Sequence, residues 1–243
     1  YETLGWQISK SVRDMPVDWP IVISNICDAD HGLFAHQAKA FDLYTASKEY
    51  PIGIREDFPN GGKGWVLDTE VESTEKLLQV DSDLRPSKKK TKKSLKGPQN
   101  VTASAILHAP GLRHMKRLDA NGDTSFVGLF YVCPVGVGRS RFFGGGFSKK
   151  APKHWMTNLF LHNFLDQDTY LLASQQTNIL QEEAAEIKSL METTTQKSGG
   201  SSVDDLKRMK MSTRQKLFCY ASPTEKAGMK IEQFWDATLL RAP

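Results

Sequence analysis

One stretch constrains this chain more than any other: Asn25-Ile26-Cys27-Asp28-Ala29-Asp30-His31-Gly32-Leu33-Phe34-Ala35-His36. It sets Asp28, His31 and His36 in the spacing Asp-x2-His-x4-His. Far downstream, Phe164-Leu165-Asp166-Gln167-Asp168-Thr169-Tyr170-Leu171-Leu172 offers two carboxylates ahead of an apolar pair. Two imidazoles and one carboxylate compose the facial triad that holds non-haem Fe(II) and leaves positions open for O2. If these residues act together, the fold has to bring segments more than a hundred residues apart to one point.

Local geometry adds a second constraint. Residues 24–40 read as a helix, yet on an ideal helix His31 and His36 lie about 140° apart. One ion could not easily reach both from a straight helix. The helix is therefore expected to be distorted or to end between them, near Gly32.

Beyond the motif the period is that of strands. Residues 1–24 read as strand then turn, with Pro16 and Pro20 as breakers. Residues 50–84 read as strand and loop, turning at Asn60-Gly61-Gly62, and Val101 to His108 reads as a strand. Leu112 to Leu118 and Thr124 to Val132 flank Asn121-Gly122, a strong hairpin signal. Arg139 to Phe143 reads as another strand, closed by a turn at Gly144-Gly145-Gly146. From Lys153 the period becomes helical: one helix over 154–176, a second over 177–194, a third from Val203-Asp204-Asp205 toward Tyr220, and a fourth over Ile231 to Leu240. Strands followed by helices predict an α+β fold, an antiparallel sheet with helices packed on one face.

The motifs carry a family resemblance. Asn-x2-Asp-x2-His-x4-His, with a distant Gln-Asp pair before an apolar helix, resembles the catalytic domain of Rieske-type oxygenases. The branch it most resembles holds chlorophyllide a oxygenase, pheophorbide a oxygenase and their Tic55-like relatives. Val17-Asp18-Trp19-Pro20, Phe34-Ala35-His36, Leu165-Asp166-Gln167-Asp168 and Gln175-Gln176 carry that likeness. The resemblance implies a helix-grip (START-like) fold. It implies His31, His36 and Asp168 as iron ligands, with Asp166 as the alternative third ligand. Asp28 would not bind iron. In the family the matching carboxylate bridges to a histidine of the Rieske cluster in a neighbouring subunit and orients an iron-ligating His. Asn25 would hydrogen-bond near the iron, or serve as a plain helix cap.

A Rieske cluster needs Cys-x-His and Cys-x2-His pairs. None of the three cysteines, Cys27, Cys133 and Cys219, begins one. The [2Fe–2S] cluster is therefore expected on a partner subunit, or on a part of the protein outside this sequence. The sequence opens at Tyr1 without Met, so trimming or processing is expected, and no secretory or transit signature stands at its start. The chain reads as a single mononuclear-iron catalytic domain over 1–243, with loops at 84–99 and 196–203.

By resemblance, the substrate is a chlorophyll-type tetrapyrrole. The reaction would take chlorophyllide a to chlorophyllide b, a ring methyl becoming a formyl group with Fe(II), O2 and electrons from the Rieske subunit. A ferredoxin-like reductase would act indirectly, the location would be the chloroplast thylakoid or envelope, and the assembly a three-fold ring of alternating subunits. Pheophorbide-cleaving relatives carry a C-terminal Cys-x2-Cys, whereas here Cys219 precedes Tyr220-Ala221-Ser222. A ligand-binding module that has lost redox competence is the alternative class.

Other features carry less. Much of the net charge of +4 lies in Lys88-Lys89-Lys90-Thr91-Lys92-Lys93 with Lys96. With no interleaved aromatics, this run reads as a solvated loop, not a nucleic-acid site; contact with an anionic membrane surface is the functional reading. No apolar run approaches the ~20 residues of a membrane span. Scattered cysteines favour a reducing compartment. His108, His114, His154 and His162 read as structural, and Cys27 as a small buried thiol. Phe34, Phe130, Tyr131, Phe142 and Phe143 are candidates to line a wide apolar pocket.

Overall fold

The structure is a computed structural model that describes residues 5–28, 31–36, 47–55, 64–73, 102–119, 121–149, 154–195, 217, 220 and 225–239. Seven strands form one antiparallel sheet: β1 (Gln7–Met15), β2 (Ser47–Arg55), β3 (Gly64–Ser73), β4 (Ala103–His108), β5 (Leu112–Leu118), β6 (Thr124–Gly136) and β7 (Arg139–Ser148). Their order is β1-β7-β6-β5-β4-β3-β2. The last six strands follow one another as a meander, and β1 closes on β7, pairing Met15 with Ser140 and Gln7 with Ser148. Asn121-Gly122 makes the turn between β5 and β6, with Gly122 at φ +83°, a conformation that glycine adopts without Cβ strain.

The helices are α1 (Trp19–Cys27), α2 (Gly32–Ala35), α3 (His154–Thr195) and α4 (Lys226–Leu239). They pack on one face of the sheet. Alternate strand residues face them: Met15, Trp65, Leu107, Val132 and Phe142 share a buried core with Ile21, Val22 and Ile23 of α1, Leu165, Leu172 and Ile179 of α3, and Ile231 and Trp235 of α4. Ile8, Val12, Tyr131 and Phe143, on the opposite pleat, are exposed. The α+β architecture expected from the sequence is present.

Four local expectations need correction. Pro20 does not break the chain; it stands in the first turn of α1, where a missing N–H costs nothing. Residues 24–40 are not one helix. α1 stops at Cys27, with the Asp28 N–H bonded to Ser24 and Asn25 carbonyls, and a new turn begins at Gly32. The interruption precedes His31 rather than following it. Residues 154–195 form one continuous helix, not two. No Gly or Pro interrupts this span, and Thr177, the proposed start of a second helix, turns its hydroxyl back to the Ala173 carbonyl, 3.0 Å away.

Gly144-Gly145-Gly146 likewise forms no turn. The three lie inside β7, paired with Ser11, Lys10 and Ser9 on one side and Phe130, Leu129 and Gly128 on the other. The smallness of Gly144 lets α3 approach. A Cβ on Gly144 would sit 2.9 Å from Phe142 Cε1 and 3.2 Å from Leu161 Cδ2. Gly144→Ala is therefore expected to destabilise the fold by about 1–3 kcal/mol through overpacking, seen as a lowered midpoint in thermal or urea unfolding. An unchanged midpoint would show that helix and sheet yield at no cost. The expected turn at Asn60-Gly61-Gly62, the loops at 84–99 and 196–203, and the helix from Val203 lie outside the described residues.

Candidate metal centre

The break after α1 directs His31 toward α3, and the turn of α2 returns His36 to the same place. Asp168 meets them from α3. It belongs to the buried stripe Leu165, Asp168, Leu172 and Ile179, at the spacing of one helix face. His36 Nε2 lies 3.4 Å and His31 Nε2 3.6 Å from Asp168 Oδ1. One donor atom from each residue falls within 4.8 Å of the other two, a cluster that could hold a metal ion. Two donors at right angles on an ion with bonds of about 2.1 Å stand roughly 3.0 Å apart, and the two His–Asp168 separations exceed that by about half an ångström.

The far side of each ring is also engaged. The His31 Nδ1–H donates to the main-chain carbonyl of Asp28. The His36 Nδ1–H donates to Gln167 Oε1 at 3.4 Å. A proton held on Nδ1 leaves the Nε2 lone pair facing Asp168, the tautomer a ligating histidine needs. Phe164 stacks on the His36 ring, centroids 3.9 Å apart and planes 14° apart. His36 and Asp168 are each only 3 % exposed. A buried carboxylate facing two imidazoles without an added cation is an expensive arrangement. The donor set therefore fits a divalent ion of the kind that takes nitrogen and oxygen ligands.

Asp166 stands elsewhere. Two residues from Asp168 on a helix is about 200° around the axis. Its side chain is 64 % exposed and pairs with Arg13 of β1, which also donates to the His162 carbonyl at 2.9 Å. Asp166 thus fastens α3 to the sheet edge.

Other motif residues form the supports. The Asp18 N–H donates to Gln176 Oε1 at 2.6 Å, and its carboxylate accepts from the Gly138 N–H at 2.7 Å, tying α1 to α3 and to the β6–β7 turn. Ser24 donates to Glu232 at 3.1 Å, and Trp19 meets Trp235 edge-on at 4.9 Å, bracing α1 against α4.

A cleft of about 640 Å3, part of it open to solvent, lies beside the cluster. Met115, Phe130, Phe142 and Phe164 give it apolar walls, and Asn25, Asp28, His31, Asp168 and Arg113 supply its polar groups. Asn25 and Asp28 are thus next to the cluster. Tyr131 and Phe143 face the other side of the sheet, because odd and even positions of a strand point opposite ways. The side chain of Phe34 lies outside the described residues. Sequence reading missed Arg113 and Met115. Register is the signal that finds them, since Arg113 pairs with Phe130 and Leu107 on the inner face.

His108, His114 and His162 join no such cluster among the described residues. Burial holds the imidazoles of His108 and His114 below the usual histidine range. Burial likewise pushes the Cys27 thiol up to about 11. Cys27 is therefore expected to resist a thiol reagent at pH 8 in the native state, whereas the partly exposed Cys133 reacts. Peptide mapping after a short labelling pulse checks this; label on Cys27 at the rate of Cys133 would contradict it.

The fold is that of the catalytic domain of Rieske-type oxygenases. Residues 88–186 match the family model for pheophorbide a oxygenase. Among solved structures, the chain resembles the NdmA QL mutant of Pseudomonas putida CBB5 with caffeine, at TM-score 0.52 and 13% identity, over 98% of this chain and 52% of that one. The same protein with theobromine gives the same values: TM-score 0.52, 13% identity, 98% and 52% coverage. The quaternary ammonium Rieske monooxygenase CntA with an inhibitor aligns at TM-score 0.43 and 12% identity, over 72% of this chain and 40% of that one. At such identity the likeness concerns the fold. The chain spans about half the length of the NdmA structures. No curated protein matches the sequence. Among the described residues, no helix is long and apolar enough to cross a membrane.

Proposed function

We propose that this chain is the mononuclear-iron catalytic part of a Rieske-type oxygenase that oxidises a chlorophyll-type tetrapyrrole, with chlorophyllide a going to chlorophyllide b. The convergence of His31, His36 and Asp168 beside an apolar cleft carries the reading. When bound there, Fe(II) would supply O2 activation and oxygen insertion into a substrate C–H bond. The chain's own residues prepare the place. The Asp28 carbonyl and Gln167 hold the two rings in the ligating tautomer. Phe164 fixes His36 against rotation, and the aromatic walls keep water from the reacting carbon. Asp28, three residues from His31, lines the cleft and would link the centre to a Rieske histidine of a neighbouring subunit.

Because this sequence holds no cluster ligand pair, electrons would come from a Rieske-bearing partner or from a Rieske part of the protein outside this sequence, fed in turn by a ferredoxin-like reductase. The Asp28 face then has to be an interface, and a ring of alternating subunits with head-to-tail contacts would satisfy it. A chloroplast location, and contact of the lysine run with an anionic membrane surface, follow from the same reading. The match to the pheophorbide a oxygenase model favours pheophorbide a as the second candidate substrate. The test is turnover of chlorophyllide a and pheophorbide a by the chain with and without a Rieske subunit, products resolved by chromatography. Oxidised chlorophyllide only in the complete system is expected. Turnover with a chemical reductant and no Rieske protein would overturn the reading.

A further inference from the structure

We propose that Arg113 is the anchor for a carboxylate on the substrate, so that the site selects an apolar molecule bearing one free acid group. Arg113 is 8 % exposed on β5 and lines the cleft together with His31 and Asp168. Its cross-strand neighbours on the inner face are Leu107 and Phe130, both apolar. It makes no hydrogen bond or ion pair among the described residues. Glu232, a nearby acid, is engaged by Ser24 and Tyr220. Asp28 lines the same cleft.

A guanidinium keeps its charge at any working pH, and holding it unpaired between apolar strand neighbours is costly. An arriving anion recovers that cost. The group has five donors in a flat fork that matches one carboxylate with two parallel hydrogen bonds. Arg113 is the single Arg or Lys among the described residues that line the cleft. One cation suits a monoanion better than a phosphate dianion. Met115, Phe130 and Phe142 form the apolar wall that would hold the rest of the molecule. The inference rests on the oxygenase reading for what that molecule is; in a chlorin the acid would be the propionate, free in chlorophyllide and absent as a charge in its ester.

Binding to the full chain tests this without turnover. Chlorophyllide a and its methyl ester are titrated by fluorescence against the parent, Arg113→Met and Arg113→Lys, with pyrenebutyrate and its methyl ester as a pair unrelated to chlorins. The parent is expected to prefer each acid over its ester by about 10- to 100-fold. Arg113→Met should lose that preference yet bind the ester as the parent does, which also shows that it folds. Arg113→Lys should keep part of it, since charge remains without the fork. An acid preference with pyrenebutyrate, with neither chlorin bound, would support the anchor and count against the chlorin reading. Chlorin binding with equal affinity for acid and ester would overturn the anchor and leave the chlorin reading standing. No acid preference in either pair, or one that survives Arg113→Met, overturns the proposal.

Discussion

Asp168→Asn is expected to weaken iron binding by more than about 100-fold, while Asp166→Asn leaves it unchanged. Removing a hydrogen-bond partner of a metal ligand typically costs 10–100-fold in affinity, so loss of the ligand's charge should exceed that. The two acids are two residues apart, yet α3 turns them to opposite sides. Asp168 meets His31 and His36 at 3.6 and 3.4 Å, and Asp166 meets Arg13 in solvent. The substitution keeps the side chain's volume, so the stripe through Leu165 and Leu172 stays packed. Iron affinity measured by competition with a chromophoric chelator checks the pair. Loss in Asp166→Asn with retention in Asp168→Asn would move the ligand.

Asp28→Asn is expected to keep iron and lose most multiple-turnover activity with the Rieske partner, roughly 100-fold. The main-chain carbonyl of Asp28, not its carboxylate, accepts the His31 Nδ1–H, and that carbonyl survives the substitution. Asp28 lines the cleft, where an amide cannot carry the carboxylate's charge. Single turnover in a pre-reduced complex should fall far less than steady-state turnover, since electron resupply is the step affected. Equal loss in both regimes, or none in either, would remove Asp28 from the electron route.

Much of this fold is legible where one signal dominates. Asn121-Gly122 marks its hairpin because the pair favours a tight turn, here with Gly122 at positive φ between two paired strands. The misfit of His31 and His36 on one helix shows that the backbone must deviate there, though not that it deviates at Asp28. Asp168 could be told from Asp166 by phase alone, since it shares the stripe of Leu165, Leu172 and Ile179. Elsewhere local pattern misleads. Three glycines in a row look like a turn, but they lie inside β7, and at Gly144 the reason is tertiary, since a Cβ there would meet Leu161 of α3. Leu112-Arg113-His114-Met115-Lys116-Arg117-Leu118 is polar on both parities, so only its register shows that Arg113 and Met115 face inward. The walls of the cleft were correspondingly hard to read: Phe130 and Phe142 line it, while their neighbours Tyr131 and Phe143 point away.

The most direct test is the metal content of the purified chain. Parent, His31→Ala and His36→Ala are loaded anaerobically with Fe(II), desalted and assayed side by side by mass spectrometry. The cluster at His31, His36 and Asp168 predicts one iron per parent chain and essentially none in either variant. A parent that retains no iron, or variants that hold it as the parent does, would contradict the account.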